Sequence, residues 1–385
     1  MPEGAAEPVP FRSFVRYFLW LGTFGFGGPI ATVGYMQRDL VEKRRWLDRG
    51  EFLNGVALGQ TMPGPLAAQV VMWIGYLQAG AMGALATSLP FIAPSFVAVL
   101  SLAVVYVHFR GLSVIQSLFY GIAPAVMAVL AVAAWKLARL TDGRDLRLWS
   151  ITAITLGVTA ATGTEIALLF VGAGLLMMVW ETVPGPLHRS IHSVVVSPVV
   201  SQLFVLSGPT GTLMSLGLFF LKAGALIFGS GLAIVPFLRA GVVEQHHWLT
   251  SRQFLDAVAI GLITPGPVVI TATFIGYVVA GFAGAWIATV AIFLPIYFGV
   301  VIPGRWFIRH KDNSLVQGFV KGATAAAAGA IAGATIVLAK GAVVDWPTAG
   351  IAVVALAFVL RFRNREPVLV LLAAAAGLLL HPLAG

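Results

Sequence analysis

Two prolines flank a glycine twice in this chain, at Pro63-Gly64-Pro65 and at Pro265-Gly266-Pro267, each time within a long apolar run. Proline is best tolerated at the first position of a helix, where its missing N–H would have been unpaired anyway. The same end of a helix offers unpaired N–H groups and the positive end of the dipole, so each motif can open a helix whose N-terminus holds an anion. Thr61 and Gln69 near the first motif, and Thr264 and Thr271 near the second, add neutral hydrogen-bond donors. The competing reading is a kink that only serves packing. Recurrence of the motif favours a functional break.

Other polar and glycine-rich positions join these candidates. Gly27, Gly28 and Pro29 interrupt one early apolar stretch, and Gly229, Ser230 and Gly231 interrupt another at the matching place. Such clusters either let helices approach closely or mark an unwound segment lining a cavity. Lys222 lies one turn before the second cluster, where a cation is costly unless paired or hydrated. It serves either an anion or the interface, by snorkelling. Glu42 and Glu244 each stand four residues before a tryptophan, as coupling candidates or as parts of a solvated interfacial helix.

Composition decides what kind of body must position them. The chain has 385 residues, 59% hydrophobic and 10% charged, against roughly 25% charged in a soluble domain. It reads as an all-α polytopic integral membrane protein, with the lipid bilayer as its solvent. "MPEGAAEPVP" lacks the basic start of a cleavable signal, so the first apolar run is expected in the mature protein. The net charge of +9 is assigned to cytoplasmic loops and not to nucleic acid. With no cysteine, soft-metal transport is disfavoured. Without a phosphate-binding P-loop, so is an ATP-driven pump. No carboxylate or histidine cluster suggests a metal, a cofactor or a hydrolytic enzyme.

A shift of 202 residues aligns Phe18–Pro65 with Phe220–Pro267 without a gap, with 19 identities in 48 positions. After a one-residue deletion the match resumes at a shift of 201, pairing Ile74–Tyr76 with Ile275–Tyr277. The domain reading is an N-terminal membrane repeat at 11–181, a linker at 182–212 and a C-terminal repeat at 213–381. Two repeats meeting through broken helices near the midplane is a common build of secondary transporters. If each Pro-Gly-Pro is a re-entrant hairpin, each half crosses five times and the halves are inverted. The Lys and Arg residues then divide 16 against 6 between the two faces. Twelve crossings in parallel halves give 14 against 8, and thirteen give 15 against 7. Charge asymmetry favours inversion more than it favours ten spans.

Several stretches resemble the chromate ion transporter family: "GFGGPIATVGYMQRDLVEKRRWL" and "MPGPLAAQVVMWIGY" in the first half, "FLKAGALIFGSGLAIVPFLRAGVVE" and "TPGPVVITATFIGYVVAGFAGAWIATVAIFLP" in the second. The resemblance covers both halves. It implies a multi-pass protein of the bacterial inner membrane that exports chromate, conferring chromate resistance, driven by protons or the membrane potential. It also places functional weight on Gly27, Gly28, Pro29, Pro63, Gly64, Pro65, Lys222, Gly229, Gly231, Pro265, Gly266 and Pro267. Sulfate has the same shape and charge, so the sequence leaves the oxyanion open. Direction, coupling ion and assembly as a homodimer stay open too. An anion channel or uniporter is the alternative within transport; a membrane scaffold or lipid-processing enzyme is the alternative outside it.

Overall fold

The computed structural model describes residues 9–26, 28–109, 113–162, 167–182, 211–227, 231–304, 306, 313–362 and 365–384. The linker expected at 182–212 lies almost wholly outside them. Regular structure among the described residues is helical throughout. The first half contributes α1 (Phe11–Phe24), α2 (Gly28–Met36), a π-helical stretch Gln37–Lys43, α3 (Arg49–Thr61), α4 (Leu66–Phe109), α5 (Ser113–Asp142), α6 (Leu146–Thr162) and α7 (Ala167–Thr182). The second contributes α8 (Thr212–Leu226), α9 (Ile234–Arg239), a π-helical stretch Ala240–Gln245, α10 (Ser251–Ile263), α11 (Thr271–Val301), α12 (Ser314–Ala342), α13 (Trp346–Arg361) and α14 (Glu366–Ala384). Among the described residues, four helices are long and apolar enough to cross a membrane: Leu66–Phe109, Ser113–Asp142, Val268–Val301 and Ser314–Ala342. With the shorter apolar helices they make an all-α polytopic membrane protein.

Local chemistry explains the hairpins at the Pro-Gly-Pro motifs. Asp48 caps α3 by accepting from the Gly50 and Glu51 N–H groups, and Thr250 caps α10 in a reciprocal box with Gln253. Each capped helix has 13 residues, about 20 Å at 1.5 Å per residue, short of the ~30 Å hydrocarbon core that a full crossing must span. Both end at the motif because proline disfavours helix in the residue before it. The chain then returns antiparallel. Trp73 Nε1 donates to the Glu51 carbonyl at 3.0 Å, tying the entry of α3 to the exit of the returning helix.

A second reversal follows at Ala79-Gly80, and at Ala280-Gly281 in the other half, with nearly identical backbone angles: Gly80 has φ 62° and ψ −149°, Gly281 φ 61° and ψ −149°. The returning half-helix then lies against the full span that continues it. At this crossing the Gly83 backbone meets the Gly75 carbonyl, and Gly284 meets that of Gly276, so neither position has room for a Cβ. Close backbone approach through small residues is how helices pack where lipid removes the hydrophobic drive.

The halves interleave. α5 packs against α13 and α14, while α12 packs against α5, α6 and α7. The sequence "GATAAAAGAIAGAT" makes this feasible, because Ala323, Ala325, Ala326, Ala327 and Ala328 are all buried and keep α12 slim on every side. Each sequence repeat thus lends its second long helix to the other.

Candidate functional site

Each Pro-Gly-Pro tip is seated on the other half of the chain. The Gly64 N–H donates to the Ile227 carbonyl, just beyond α8, at 2.6 Å, and a Cβ on Gly64 would lie 2.9 Å from Ile296 of α11. Reciprocally, Ser95 of α4 donates to the Pro265 carbonyl at 2.5 Å and stands where a Cβ on Gly266 would go. Ser95 and Ile296 are themselves equivalent at the 201-residue shift. Both tip glycines have positive φ, 143° at Gly64 and 97° at Gly266, a region that side chains disfavour. Gly231 lies between the tips: a Cβ there would be 3.5 Å from Pro65 and 3.9 Å from Val268, ordinary contact distances. Thus Pro63, Gly64, Pro65, Gly231, Pro265, Gly266 and Pro267 come together.

The side-chain donors expected around the tips are occupied. Thr61 donates to Ala57 O at 2.7 Å, Thr264 to Ile260 O at 3.0 Å and Thr271 to Val268 O at 2.8 Å. Gln69 is fully buried and spends Nε2 on the carbonyls of Met62 and Pro63, which fixes the first tip's turn, while its Oε1 is left without a partner among the described residues. Hydroxyls back-bonded to their own helix are the usual outcome at such positions. What the tips retain for an anion is backbone: the first-turn N–H groups after Pro65 and Pro267, which no helix satisfies internally.

The remaining candidates sit elsewhere. Gly28 and Pro29 open α2; Gly27, Gly229 and Ser230 fall outside the described residues. Lys222 is half-buried in α8, and its charge reaches His246 in the turn after the second π-helical stretch. Burial first, and Lys222 second, hold the His246 pKa below its ordinary value. Glu42 is exposed and accepts from Gln37 at 3.0 Å, whereas Glu244 pairs with Arg239. Both pairs are five residues apart, one turn of π-helix, and both flank the hairpins away from their tips.

Two features escaped the sequence reading. One is the Ser95 and Ile296 pair, which only tertiary packing brings to the tips. The other is Asp256, buried in α10 and accepting from Tyr106 Oη at 2.7 Å. Its signal was available in the repeat, which places Asn54 at the equivalent position. A groove between α8 and α11 is lined by apolar residues such as Leu218, Leu221, Ile287 and Leu294. It offers nothing to a dianion.

A family model described as "Chromate transporter" matches residues 12–187 and 214–378. The chain is 47% identical over 381 residues to the "Chromate transport protein" of Cupriavidus metallidurans, covering 98% of this chain and 95% of that one. It is 45% identical over 375 residues to the "Probable chromate transport protein" of Synechococcus elongatus, covering 96% and 95%. A "Chromate transport protein" of Pseudomonas aeruginosa is 30% identical over 402 residues, covering 99% and 95%. No solved structure matches the chain. With the family model covering both halves and full-length relatives this similar, the chain belongs to the chromate transporter family, a family of transporters and not of enzymes.

Proposed function

We propose that this chain carries chromate, or a tetrahedral oxyanion of the same shape and charge such as sulfate, across the bacterial inner membrane through a site between the two Pro-Gly-Pro tips. The observation that carries this reading is their reciprocal seating, with Gly231 between Pro65 and Val268. Two half-helix N-termini from different halves converge there, and their N–H groups and dipoles suit a dianion better than any side chain nearby. Lys222 adds positive potential on the approach. The flux is outward, driven by the membrane potential or by protons.

The halves are inverted in this reading, and the packing supports it. Arg252 donates to the Gln116 carbonyl at 3.5 Å, Tyr120 to Asp345 at 2.5 Å, and Ser117 bonds His381 at 2.8 Å. These residues all belong to the face that the charge count makes external. Lys321 and Glu181, paired at 2.7 Å, belong to the opposite face. Cysteines placed at Arg45 and Arg144 should label from the cytoplasm, and those at His247 and Lys340 from outside. The chain has no native cysteine to confuse the assay.

Gly231→Ala tests the site directly, because its Cβ meets only ordinary contacts and the fold should hold. Chromate uptake into everted vesicles, with sulfate as competitor and with or without a pH gradient, should show affinity lowered about tenfold, roughly 1.4 kcal/mol. Unchanged affinity in Gly231→Ala would place the anion elsewhere. Uptake indifferent to a pH gradient at fixed potential would leave the potential as the sole driver.

A further inference from the structure

Asp256 lies midway along α10, inside the second hairpin, and only 4% of it is exposed. Its Oδ2 accepts from Tyr106, whose ring is itself held edge-on by Phe119 and Phe274 at centroid distances of 5.6 and 5.1 Å. Beside the pair is a cavity of about 270 Å³ that Gln116, Thr250, Arg252 and Gln253 also line. It is polar and wide enough for several waters, each needing about 30 Å³. A carboxyl that is buried, hydrogen-bonded by a neutral phenol and open on one side to such a cavity has the surroundings of a proton-exchanging group.

The pair joins the two halves, and the repeat does not duplicate its chemistry at the equivalent positions. Across the shift, Asp256 corresponds to Asn54 and Tyr106 to Phe307. Neither Asn54 nor Phe307 can take up a proton, so a shared scaffolding requirement does not explain the carboxyl. From Asp256, α10 runs two turns, about 12 Å, to Thr264 and the tip. A carboxylate at that range in a poorly screened interior repels a dianion held at the tip.

We propose that Asp256 is a proton-binding site reached through this cavity, and that its ionised form opposes oxyanion binding at the paired tips. The inference rests on the transport reading above and names its coupling ion and residue. A proton from cavity water adds to the Asp256 carboxylate, leaving it neutral with the Tyr106 bond in place, and returns to cavity water on release; no other bond changes. Arg252 on the same helix lines the cavity beside the carboxylate, and Tyr106 on α4 donates to it. From α5 come Gln116 and, further along, Ser117 and Tyr120, which engage His381 of α14 and Asp345 at the start of α13.

The test uses the full chain in lipid. Infrared difference spectra taken as the pH is lowered should show the carbonyl stretch of a protonated carboxyl. That band should vanish in Asp256→Asn and move to higher frequency in Tyr106→Phe, which removes only the hydrogen bond. Sulfate and chromate binding should tighten at least tenfold in the wild type as the band appears. Asp256→Asn should bind tightly at every pH. The sulfate arm is needed because chromate itself takes up a proton near neutrality. A band that persists in Asp256→Asn overturns the proton site, and equal pH dependence in both proteins overturns the coupling. Absence of oxyanion binding by every variant, with the band still lost in Asp256→Asn, upholds the proton site and overturns the transport reading instead.

Discussion

The two hairpins are nearly the same object in backbone and different objects in side chains. Their tips, their second reversals at Gly80 and Gly281, and the positive φ of Arg45 and His247 before each hairpin all recur at the repeat spacing. Polar chemistry does not recur. Gln69 braces the first tip where Thr271 stands near the second; Ser95 reaches one tip where Ile296 fills the corresponding place; Asn54 is replaced by Asp256. What both copies share is what the fold needs to make a broken helix inside apolar surroundings. What differs is free to divide labour between the two sides of the proposed site.

The largest effect tests the shared part. Gly83→Ala and Gly284→Ala each force a Cβ into a backbone carbonyl across the second reversal, with no flexible side chain to yield. Both should destabilise by about 3 kcal/mol, the upper range for overpacking, read as equal falls in the thermal midpoint in detergent. A tolerated alanine on one side alone would break the structural equivalence of the hairpins.

A smaller effect sharpens the comparison at the two ends of the interleaved bundle, where Tyr120, paired with Asp345 at one end, is equivalent at the 201-residue shift to Lys321, paired with Glu181 at the other. Burial pushes the Asp345 carboxyl up, but hydrogen bonds from Tyr120 and Thr348 outweigh it and leave the pKa below the ordinary value. A folded pKa below the unfolded one adds stability that is full above the ordinary carboxylate range, about 3.9, and is lost as pH falls through the depressed value. Tyr120→Phe should cost about 1 kcal/mol near neutrality and flatten that acid loss. Denaturant midpoints measured from neutral to acid pH check both. An acid limb as steep as the wild type's would remove Tyr120 from the account.

The smallest effect concerns Lys222, which stands where the first half has Trp20. Lys222→Met keeps the apolar stem and removes the charge. The His246 midpoint, followed by NMR, should rise because the cation no longer opposes its protonation. Chromate transport should fall by less than tenfold, as expected of a charge that acts along the approach. A loss as large as that of an emptied site would move Lys222 to the tips themselves.

The sequence by itself determined the membrane class, the helical composition, the repeat and the positions where helices must break. These follow from apolar run length, from the missing N–H of proline and from identities that survive a constant shift, none of which needs a neighbour in space. Tertiary structure alone decided which groups face one another. Thr61, Gln69, Thr264 and Thr271 are donors by type, but the nearest backbone carbonyls claim their hydrogens, and a carbonyl's position depends on the turn the chain has made. Ser95 and Asp256 look unremarkable along the chain. They acquire their settings because α4 packs on α11 and meets α10 from another half of the sequence, and contacts between residues more than 100 positions apart leave no periodicity to read.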